Sequence, residues 1–254
     1  MVFDRDSIAA SGLQLPPGNN PTENIIQGLW IGSSLSVMEK LSIASFLQNG
    51  HEYHLYAYDE PLNVPAGTKI KDANEILPAT AIFQYKDRPS FAGFSNYFRY
   101  KLLLERGGWW ADMDVVCLRE FDFPDDNVFA SELNSGQEIV ASCVIKAPRG
   151  SDLMLSACRV CQAKDPRELM WGETGPNLMT EMVRTHRLDK YQKPYYIFCP
   201  ISDFEKILAP HIAIHPAAYA IHLWNENWRL ANRDKDGRYH RHCIYERLKR
   251  KYLD

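Results

Sequence analysis

Two aspartates interrupt an apolar segment near the middle of the chain, and they constrain the fold more than any other feature. Asp112 and Asp114 lie within the segment 109–118, where tryptophan, alanine and valine residues flank them. This pattern predicts a buried, extended strand, and alternate residues of a strand point to the same side. Buried carboxylates repel each other and lose hydration, so the pair predicts a compensating cation rather than a solvated loop.

The two carboxylates suit a hard cation with oxygen ligands, Mn²⁺ or Mg²⁺. Such an ion normally completes its coordination shell with substrate phosphates. Asn96 and Arg99 share one face of a predicted helix that ends at Gly107 and Gly108, which returns the chain toward the aspartates. The Arg99 guanidinium can bind a phosphate or sugar hydroxyls as a fork, and the alternative is a surface arginine paired with a nearby acid.

Strand and helix patterns alternate before and after the aspartates. The apolar run 25–31 predicts a strand, and Ser36 with Glu39 forms a capping box that begins a helix ending near residue 49. The alternating segment 52–58 completes a βαβ unit with a right-handed crossover. Further patterns predict a helix at 91–106, a strand at 138–146 and helices at 151–163 and 177–187. The predicted fold class is therefore α/β.

The chain has 254 residues, of which 45% are hydrophobic and 24% are charged, as expected for one core domain. Its net charge of −3 argues against a nucleic-acid partner. We predict an irregular N-terminal arm at 1–22, where proline and glycine are frequent, a domain at 23–228 and a basic tail at 229–254.

The predicted tail combines basic residues with apolar residues at helical spacing, namely Ile244, Tyr245, Leu248 and Tyr252. A basic amphipathic helix of this kind can lie on an anionic membrane surface, or it can dock on its own domain. No apolar run approaches the roughly 18 residues that span a bilayer, and the charged start does not fit a signal peptide. We expect a cytoplasmic protein, held at the inner face of the membrane if the tail contacts lipid.

The six cysteines are scattered along the chain except for Cys158 and Cys161. That pair has the spacing of zinc ligands, but neither a second CxxC nor a histidine pair accompanies it. A helical thiol pair is therefore favoured over a metal site, with the other thiols reduced and mostly buried.

The segment 93–115 resembles the DXD region of glycosyltransferase family thirty-two. Ser95, Asn96 and Arg99 match a Ser-Asp-x-x-Arg helix turn except that Asn96 replaces the aspartate, and a Gly-Gly-Trp-Trp lead-in precedes the two aspartates. The glucosylating bacterial toxins share this pattern. The resemblance implies a GT-A type, Rossmann-like mixed sheet flanked by helices in a single catalytic domain. An amide at position 96 can still accept from one sugar hydroxyl and donate to another.

The same resemblance implies further site residues. Trp30 is similar to a tryptophan that stacks on uracil, and the segment 222–228 is similar to a closing His-x-Trp-x-x-x-Trp segment in which His222 is a third metal ligand. The implied catalytic residues are Asp112, Asp114, Arg99 and Asn96. The implied donor-binding residues are Trp30, Ser95, Asn96, Arg99, Trp110, Asp112, Gly175, Pro176, Asn227 and Trp228. The implied metal ligands are Asp112, Asp114 and His222.

In function, the resemblance implies a metal-dependent, retaining hexosyltransferase that uses Mn²⁺ or Mg²⁺. It would move a hexose or N-acetylhexosamine from a nucleotide sugar, preferably a UDP-sugar, to a glycan or glycolipid in bacterial surface polysaccharide or lipo-oligosaccharide synthesis. One alternative is a haloacid-dehalogenase-type phosphohydrolase with Asp112 as nucleophile and Asp114 as acid. It fits poorly because a complete βαβ unit precedes the motif. Another alternative is a sugar-binding module without turnover.

Overall fold

A mixed β-sheet forms the centre of the computed structural model, which describes residues 25–254. The predicted N-terminal arm, 1–22, lies outside the described residues. The strands are β1 (Ile25–Trp30), β2 (Glu52–Ala57), β3 (Lys69–Asp72), β4 (Gly108–Ala111), β5 (Val115–Cys117), β6 (Val128–Asn134), β7 (Gln137–Ala147) and β8 (Ala220–His222). The helices are α1 (Val37–Gln48), α2 (Ala92–Arg106), α3 (Asp152–Ala163), α4 (Pro176–Thr185), α5 (Tyr195–Phe198), α6 (Phe204–Leu208), α7 (Asn225–Leu230) and α8 (Ile244–Tyr252).

The strand order in the central sheet is β3-β2-β1-β4-β7-β6. The first four of these strands run parallel to one another, and β7 and β6 are antiparallel to their neighbours. The β1-α1-β2 unit confirms the predicted βαβ opening, with Ile25 opposite Glu52. The predicted capping box is also present, since Ser36 caps α1 and the Glu39 side chain accepts from the Ser36 backbone. The α/β class with a mixed sheet flanked by helices is confirmed.

Helices cover both faces of the sheet. On one face, α2, α3 and α4 contribute Phe98, Met154 and Met179 to a core that also contains Trp110. On the other face, α1 and α5 pack against Trp109 and its neighbours. Because adjacent residues of a strand point to opposite faces, the two tryptophans before the aspartate pair anchor β4 on both sides of the sheet.

The strand predicted at 109–118 is two short strands in the structure. β4 belongs to the central sheet, whereas β5 pairs with β8 in a separate two-stranded sheet. The chain turns between them, and the Val115 N–H donates to the Asp112 carbonyl at 3.0 Å. The prediction of an extended strand through both aspartates is therefore wrong, because these residues form the turn that links the two sheets.

The C-terminal helix α8 packs on the domain through the apolar residues that the sequence pattern marked. These side chains are buried, and they contact residues of α1 such as Met38 and Leu41. The Gln48 amide also donates to the Tyr252 carbonyl at 2.8 Å. The structure gives no support to a membrane contact through this face, since the domain covers it. Within 25–254, no helix is both long and apolar enough to cross a bilayer.

Gly28 of β1 lies directly under the turn that carries the two aspartates. A Cβ at this position would lie 2.5 Å from the Tyr53 hydroxyl, 3.0 Å from the Met113 sulfur and 3.2 Å from the Ala111 carbonyl. We expect Gly28→Ala to lower the free energy of unfolding by about 1–3 kcal/mol, because overpacking forces neighbours out of position. Chemical denaturation measures this loss.

The matched test adds Tyr53→Phe to Gly28→Ala. Tyr53 donates a 3.2 Å hydrogen bond to the Met113 sulfur, and its hydroxyl is the atom nearest to the added methyl. The double variant should be more stable than the sum of the two single changes predicts. Strict additivity would show that the clash with Tyr53 is not the source of the loss.

Candidate active site

The turn between β4 and β5 is held from two sides. On one side, the Asp112 N–H donates to the Cys143 carbonyl of β7 at 2.8 Å. On the other side, the Leu223 N–H donates to the Asp114 carbonyl at 2.8 Å, and the Asn225 N–H donates to Asp114 Oδ2 at 2.7 Å. The turn therefore has a fixed position between the central sheet and the segment that follows β8.

The pairing of β5 with β8 brings His222 to the aspartates, because Val115 lies opposite His222 in the register. His222 Nε2 lies 3.2 Å from Asp114 Oδ2. One ligand atom from each of Asp112, Asp114 and His222 lies within 4.8 Å of the other two. Two carboxylates and an imidazole form a donor set suited to Mn²⁺, and Mg²⁺ accepts the same carboxylates. The structure thus brings together the three predicted metal ligands.

The electrostatics of this group are asymmetric. Burial raises the pKa of Asp112, Arg99 opposes this shift, and Asp114 adds to it. Burial also opposes ionisation of Asp114, but the His222 imidazole and the Asn225 N–H together hold the pKa of Asp114 below its ordinary value. For His222, burial disfavours the charged ring, yet the carboxylate of Asp114 and the other nearby groups raise its pKa to about 10. The site concentrates negative charge that a bound cation would also compensate.

Arg99 of α2 fixes the position of Asp112. Its side chain is 4% exposed, its Nη2 lies 3.0 Å from Asp112 Oδ1, and its Nη1 donates to Asp112 Oδ2 at 3.4 Å. The same guanidinium donates to Ser95 Oγ at 3.2 Å and to the Ser142 carbonyl. Trp110 contributes a further donor, from Nε1 to Asp112 Oδ1 at 2.7 Å. Arg99 therefore pairs with a nearby acid, but its side chain is buried and not on the surface as the alternative interpretation expected.

Asn96 lies beside Gly175, one of the donor-binding residues that the resemblance implies. The Asn96 side chain is buried, and its Nδ2 donates to Thr174 Oγ1 at 3.4 Å. A Cβ at Gly175 would lie 3.1 Å from the same Nδ2, so a side chain there would crowd the amide. Gly175 therefore lets the start of α4, at Pro176, approach Asn96 closely.

Two cavities meet at Asp112 and Arg99. The first has a volume of about 320 Å³, and its walls include Trp30, Ser95, Arg99, Trp110, Asp112, Asp114 and Asn225. The second has a volume of about 390 Å³, and its walls include Asn96, Arg99, Asp112, Glu132, Pro176, His222, Trp224 and Asn227. The carboxylate pair and His222 thus stand at the boundary between two separate spaces.

Trp228 is placed differently from the prediction. It is fully buried, lines neither cavity and packs on Tyr245 with ring centroids 4.8 Å apart. Trp224, rather than Trp228, lines the second cavity. The centroids of the Trp224 and His222 rings are 4.1 Å apart, and Trp224 Nε1 donates to the Ile201 carbonyl. The reason is local, because Trp224 has a left-handed backbone, with φ of 61°, which redirects the chain before α7.

Sequence reasoning also missed Glu132 and the backbone of Asn225. Glu132 lies on β6 and faces the second cavity, and burial raises the pKa of its carboxyl. No pattern in the sequence marked β6 as part of a site, so nothing pointed to Glu132. Asn225 acts through its N–H at the beginning of α7, which any residue type would supply, so the sequence contains no signal for it.

Comparison with known proteins agrees with the predicted resemblance. Residues 34–134 match the family described as glycosyltransferase sugar-binding region containing DXD motif. This segment includes the Ser95 to Arg99 turn and both aspartates, and it lines most of the first cavity. Residues 34–134 are therefore similar to the DXD-containing sugar-binding region of glycosyltransferases, and this match covers less than half of the 254 residues.

No curated protein sequence matches the chain. Among solved structures, the PaToxG glycosyltransferase is similar with a TM-score of 0.47 at 16% identity, covering 66% of this chain and 70% of that one. The ligand-free glycosyltransferase domain of the YGT toxin has a TM-score of 0.46 at 9% identity, covering 73% and 84%. The apo-form glycosyltransferase GlyE of Streptococcus pneumoniae TIGR4 has a TM-score of 0.42 at 14% identity, covering 69% and 46%.

Proposed function

We propose that the protein transfers a hexose or N-acetylhexosamine from a nucleotide sugar, bound through a divalent cation, to a glycan acceptor. The observation that carries this proposal is the Asp112, Asp114 and His222 group at the boundary of two cavities. Both aspartates lie within residues 34–134, which match a DXD sugar-binding region. Two adjoining spaces suit a reaction in which a donor and an acceptor meet at one carbon atom. In this proposal, a cation bound by these three residues would hold the leaving diphosphate.

The first cavity suits the nucleotide. Trp30 lines it, and an indole face stacks on any nucleobase, so a UDP-sugar is the donor that we propose from the family resemblance. When bound, Mn²⁺ or Mg²⁺ supplies charge neutralisation to the diphosphate leaving group. Arg99 and Trp110 hold Asp112 from two directions, which keeps this ligand in position without reorganisation during the reaction.

The second cavity suits the transferred sugar and the acceptor. Asn96, Glu132 and Asn227 offer amide and carboxyl groups that can pair with sugar hydroxyls. In the transfer, the bond between the anomeric carbon and the diphosphate oxygen breaks, and its electron pair leaves with the diphosphate. The acceptor hydroxyl oxygen forms the new bond to the anomeric carbon, and its proton passes to a phosphate oxygen of the departing nucleotide. Retention of configuration, with attack from the side of the leaving group, is proposed from the family resemblance alone.

The acceptor and the setting are also proposals from the resemblance. We propose a glycan or glycolipid acceptor in bacterial surface polysaccharide or lipo-oligosaccharide synthesis, with the enzyme in the cytoplasm. The residues that remain proposed for donor binding are Trp30, Ser95, Asn96, Arg99, Trp110, Asp112, Gly175, Pro176 and Asn227. Trp228 is left out because it is a core residue.

A thermal shift experiment with Mn²⁺ and a panel of nucleotide sugars tests the proposed function. A donor at about 100 times its Kd should stabilise the folded protein by about 2.7 kcal/mol, and slow nucleotide release should accompany binding. A sugar-binding module would show stabilisation without nucleotide release. If no nucleotide sugar either stabilises the protein or is hydrolysed, the proposed function is wrong.

Asp114→Asn should remove the Mn²⁺-dependent part of this stabilisation. The amide oxygen can still accept from the Asn225 N–H, so the turn is kept while one carboxylate ligand is lost. Asp126→Asn is the matched control, because Asp126 is exposed and lines neither cavity. Unchanged Mn²⁺ dependence in Asp114→Asn would exclude Asp114 from the metal site.

A further inference from the structure

Two buried thiols lie beside His222. Cys143 belongs to β7 and Cys199 follows α5, and their sulfur atoms are 3.5 Å apart. A ring nitrogen of His222 and the two sulfurs lie within 4.8 Å of one another. The His222 Nδ1 atom is buried and makes no hydrogen bond to any residue within 25–254. A buried polar atom without a partner costs free energy, so its environment requires an explanation.

We propose that Cys143, Cys199 and His222 form a second metal site, which takes Zn²⁺ or another thiophilic divalent cation. Two thiolates and an imidazole are ligands that zinc prefers, whereas the neighbouring aspartates suit a hard cation. With Zn–S bonds of about 2.3 Å, two thiolates of a tetrahedral site lie about 3.8 Å apart. The distance of 3.5 Å between these sulfurs needs only a small adjustment to reach that geometry.

The second cavity gives this site an entry path and an open coordination position. Cys143 and His222 both line that cavity, so an ion can reach the sulfurs from it. Three protein ligands leave a fourth position for water, which is the arrangement of zinc sites that keep one open position. Buried thiols without such a path would be inert packing residues.

The tertiary structure, rather than sequence spacing, selects this pair of thiols. Cys158 and Cys161 have the spacing of zinc ligands, yet both lie on α3. Within the described part of the chain, the three-residue groups able to hold an ion are Cys143 with Cys199 and His222, and Asp112 with Asp114 and His222. The CxxC pair belongs to neither of them.

The two groups share one imidazole. His222 Nε2 lies 3.2 Å from Asp114 Oδ2, and a neutral imidazole has a single nitrogen lone pair for a cation. A neutral His222 can therefore not ligate a cation in both groups at the same time. A thiophilic ion bound by the cysteines should weaken Mn²⁺ binding at the aspartates, an effect that rests on the proposed function.

Cobalt(II) absorption spectroscopy tests the site itself, without any nucleotide sugar. Co²⁺ bound to thiolates gives a near-ultraviolet sulfur-to-cobalt charge-transfer band, and Zn²⁺ should displace the Co²⁺ and remove the band. We expect the band in the reduced wild-type protein and in the control variant Cys158→Ser/Cys161→Ser. We expect its loss in Cys143→Ser/Cys199→Ser. A band retained in that variant, or absent from the wild type, would overturn the proposal.

The control variant keeps the test decisive even if Cys143→Ser/Cys199→Ser does not fold. In Cys158→Ser/Cys161→Ser, a Zn²⁺-displaceable band of two-thiolate intensity supports the site, and its absence overturns it. The result is independent of the donor panel, because that panel reports on Mn²⁺ and nucleotide sugars and the cobalt band reports on sulfur ligands. Failure of either proposal is thus distinguishable from failure of the other.

Discussion

Arg99→Lys is expected to lower nucleotide release and sugar transfer by about 10²-fold, the loss that a misplacement of about 1 Å in a reacting site can cause. The guanidinium contacts Asp112 through two nitrogens and also donates to Ser95 and Ser142. A lysine ammonium is a compact point charge on a flexible stem, so it cannot hold all of these partners in the same geometry. Asp112 would then lose its fixed orientation.

The substitution keeps a positive charge beside Asp112, which separates loss of geometry from loss of charge. Removing the charge altogether would leave the partly buried Asp112 carboxylate without its partner, at a cost of up to about 3–5 kcal/mol. For Arg99→Lys we therefore expect a folded protein whose rate, measured at saturating donor and Mn²⁺, is the main change. Thermal unfolding of each variant checks that the fold is kept.

Arg106→Lys is the matched control on the same helix. Arg106 pairs with Glu75 at 3.1 Å with a side chain that is 43% exposed, and it lines neither cavity. Its replacement should change activity little, since exposed ion pairs contribute about 0–1 kcal/mol. Equal rates for Arg99→Lys and Arg106→Lys would show that the contacts of Arg99 with Asp112 do not contribute to the reaction.

The parts of the fold that the sequence predicted are those specified by local patterns. The capping box of α1, the Gly-Gly end of α2 and the βαβ opening each depend on residues close together in the chain. Gly107 has φ of 68°, a backbone conformation that glycine adopts without steric cost, so the end of α2 was visible in the sequence.

The parts that escaped prediction depend on pairing between distant segments. β5 looks like a continuation of β4 because both are apolar, but its partner is β8, about a hundred residues later. Once this pairing exists, the aspartates lie in a turn and His222 stands beside them. The structure brings the three predicted metal ligands together for a reason different from the one inferred, since a turn rather than a strand holds the two aspartates.

The two tryptophans of the segment 222–228 show the same limit. The family resemblance implies a donor-binding role for Trp228 and none for Trp224. The left-handed backbone of Trp224 keeps that ring beside His222, and one helical turn later Trp228 faces the core formed with α8. A single backbone conformation, which no residue type in this segment demands, decides which tryptophan belongs to the site.

Deletion of residues 243–254, which contain α8, is expected to leave the protein largely unfolded. The helix buries four large side chains, Ile244, Tyr245, Leu248 and Tyr252, against α1 and its surroundings. At roughly 1.5–3 kcal/mol for each, their burial contributes about 6–12 kcal/mol. That is comparable with the whole stability of a typical domain, about 5–15 kcal/mol. The truncated chain should therefore lose cooperative unfolding, and the apolar side chains of α1 that pack on α8 should become exposed.

Point variants separate packing from the basic charge of this helix. Leu248→Ala should lower the free energy of unfolding by about 2–5 kcal/mol, because the buried side chain leaves a cavity. Lys251→Ala, on the exposed side of the same helix, should change it by less than about 0.5 kcal/mol. Denaturant unfolding measures both. If Leu248→Ala were as stable as Lys251→Ala, the apolar face of α8 would not be anchored to the domain, and only then would that face be available for the membrane contact that its sequence suggests.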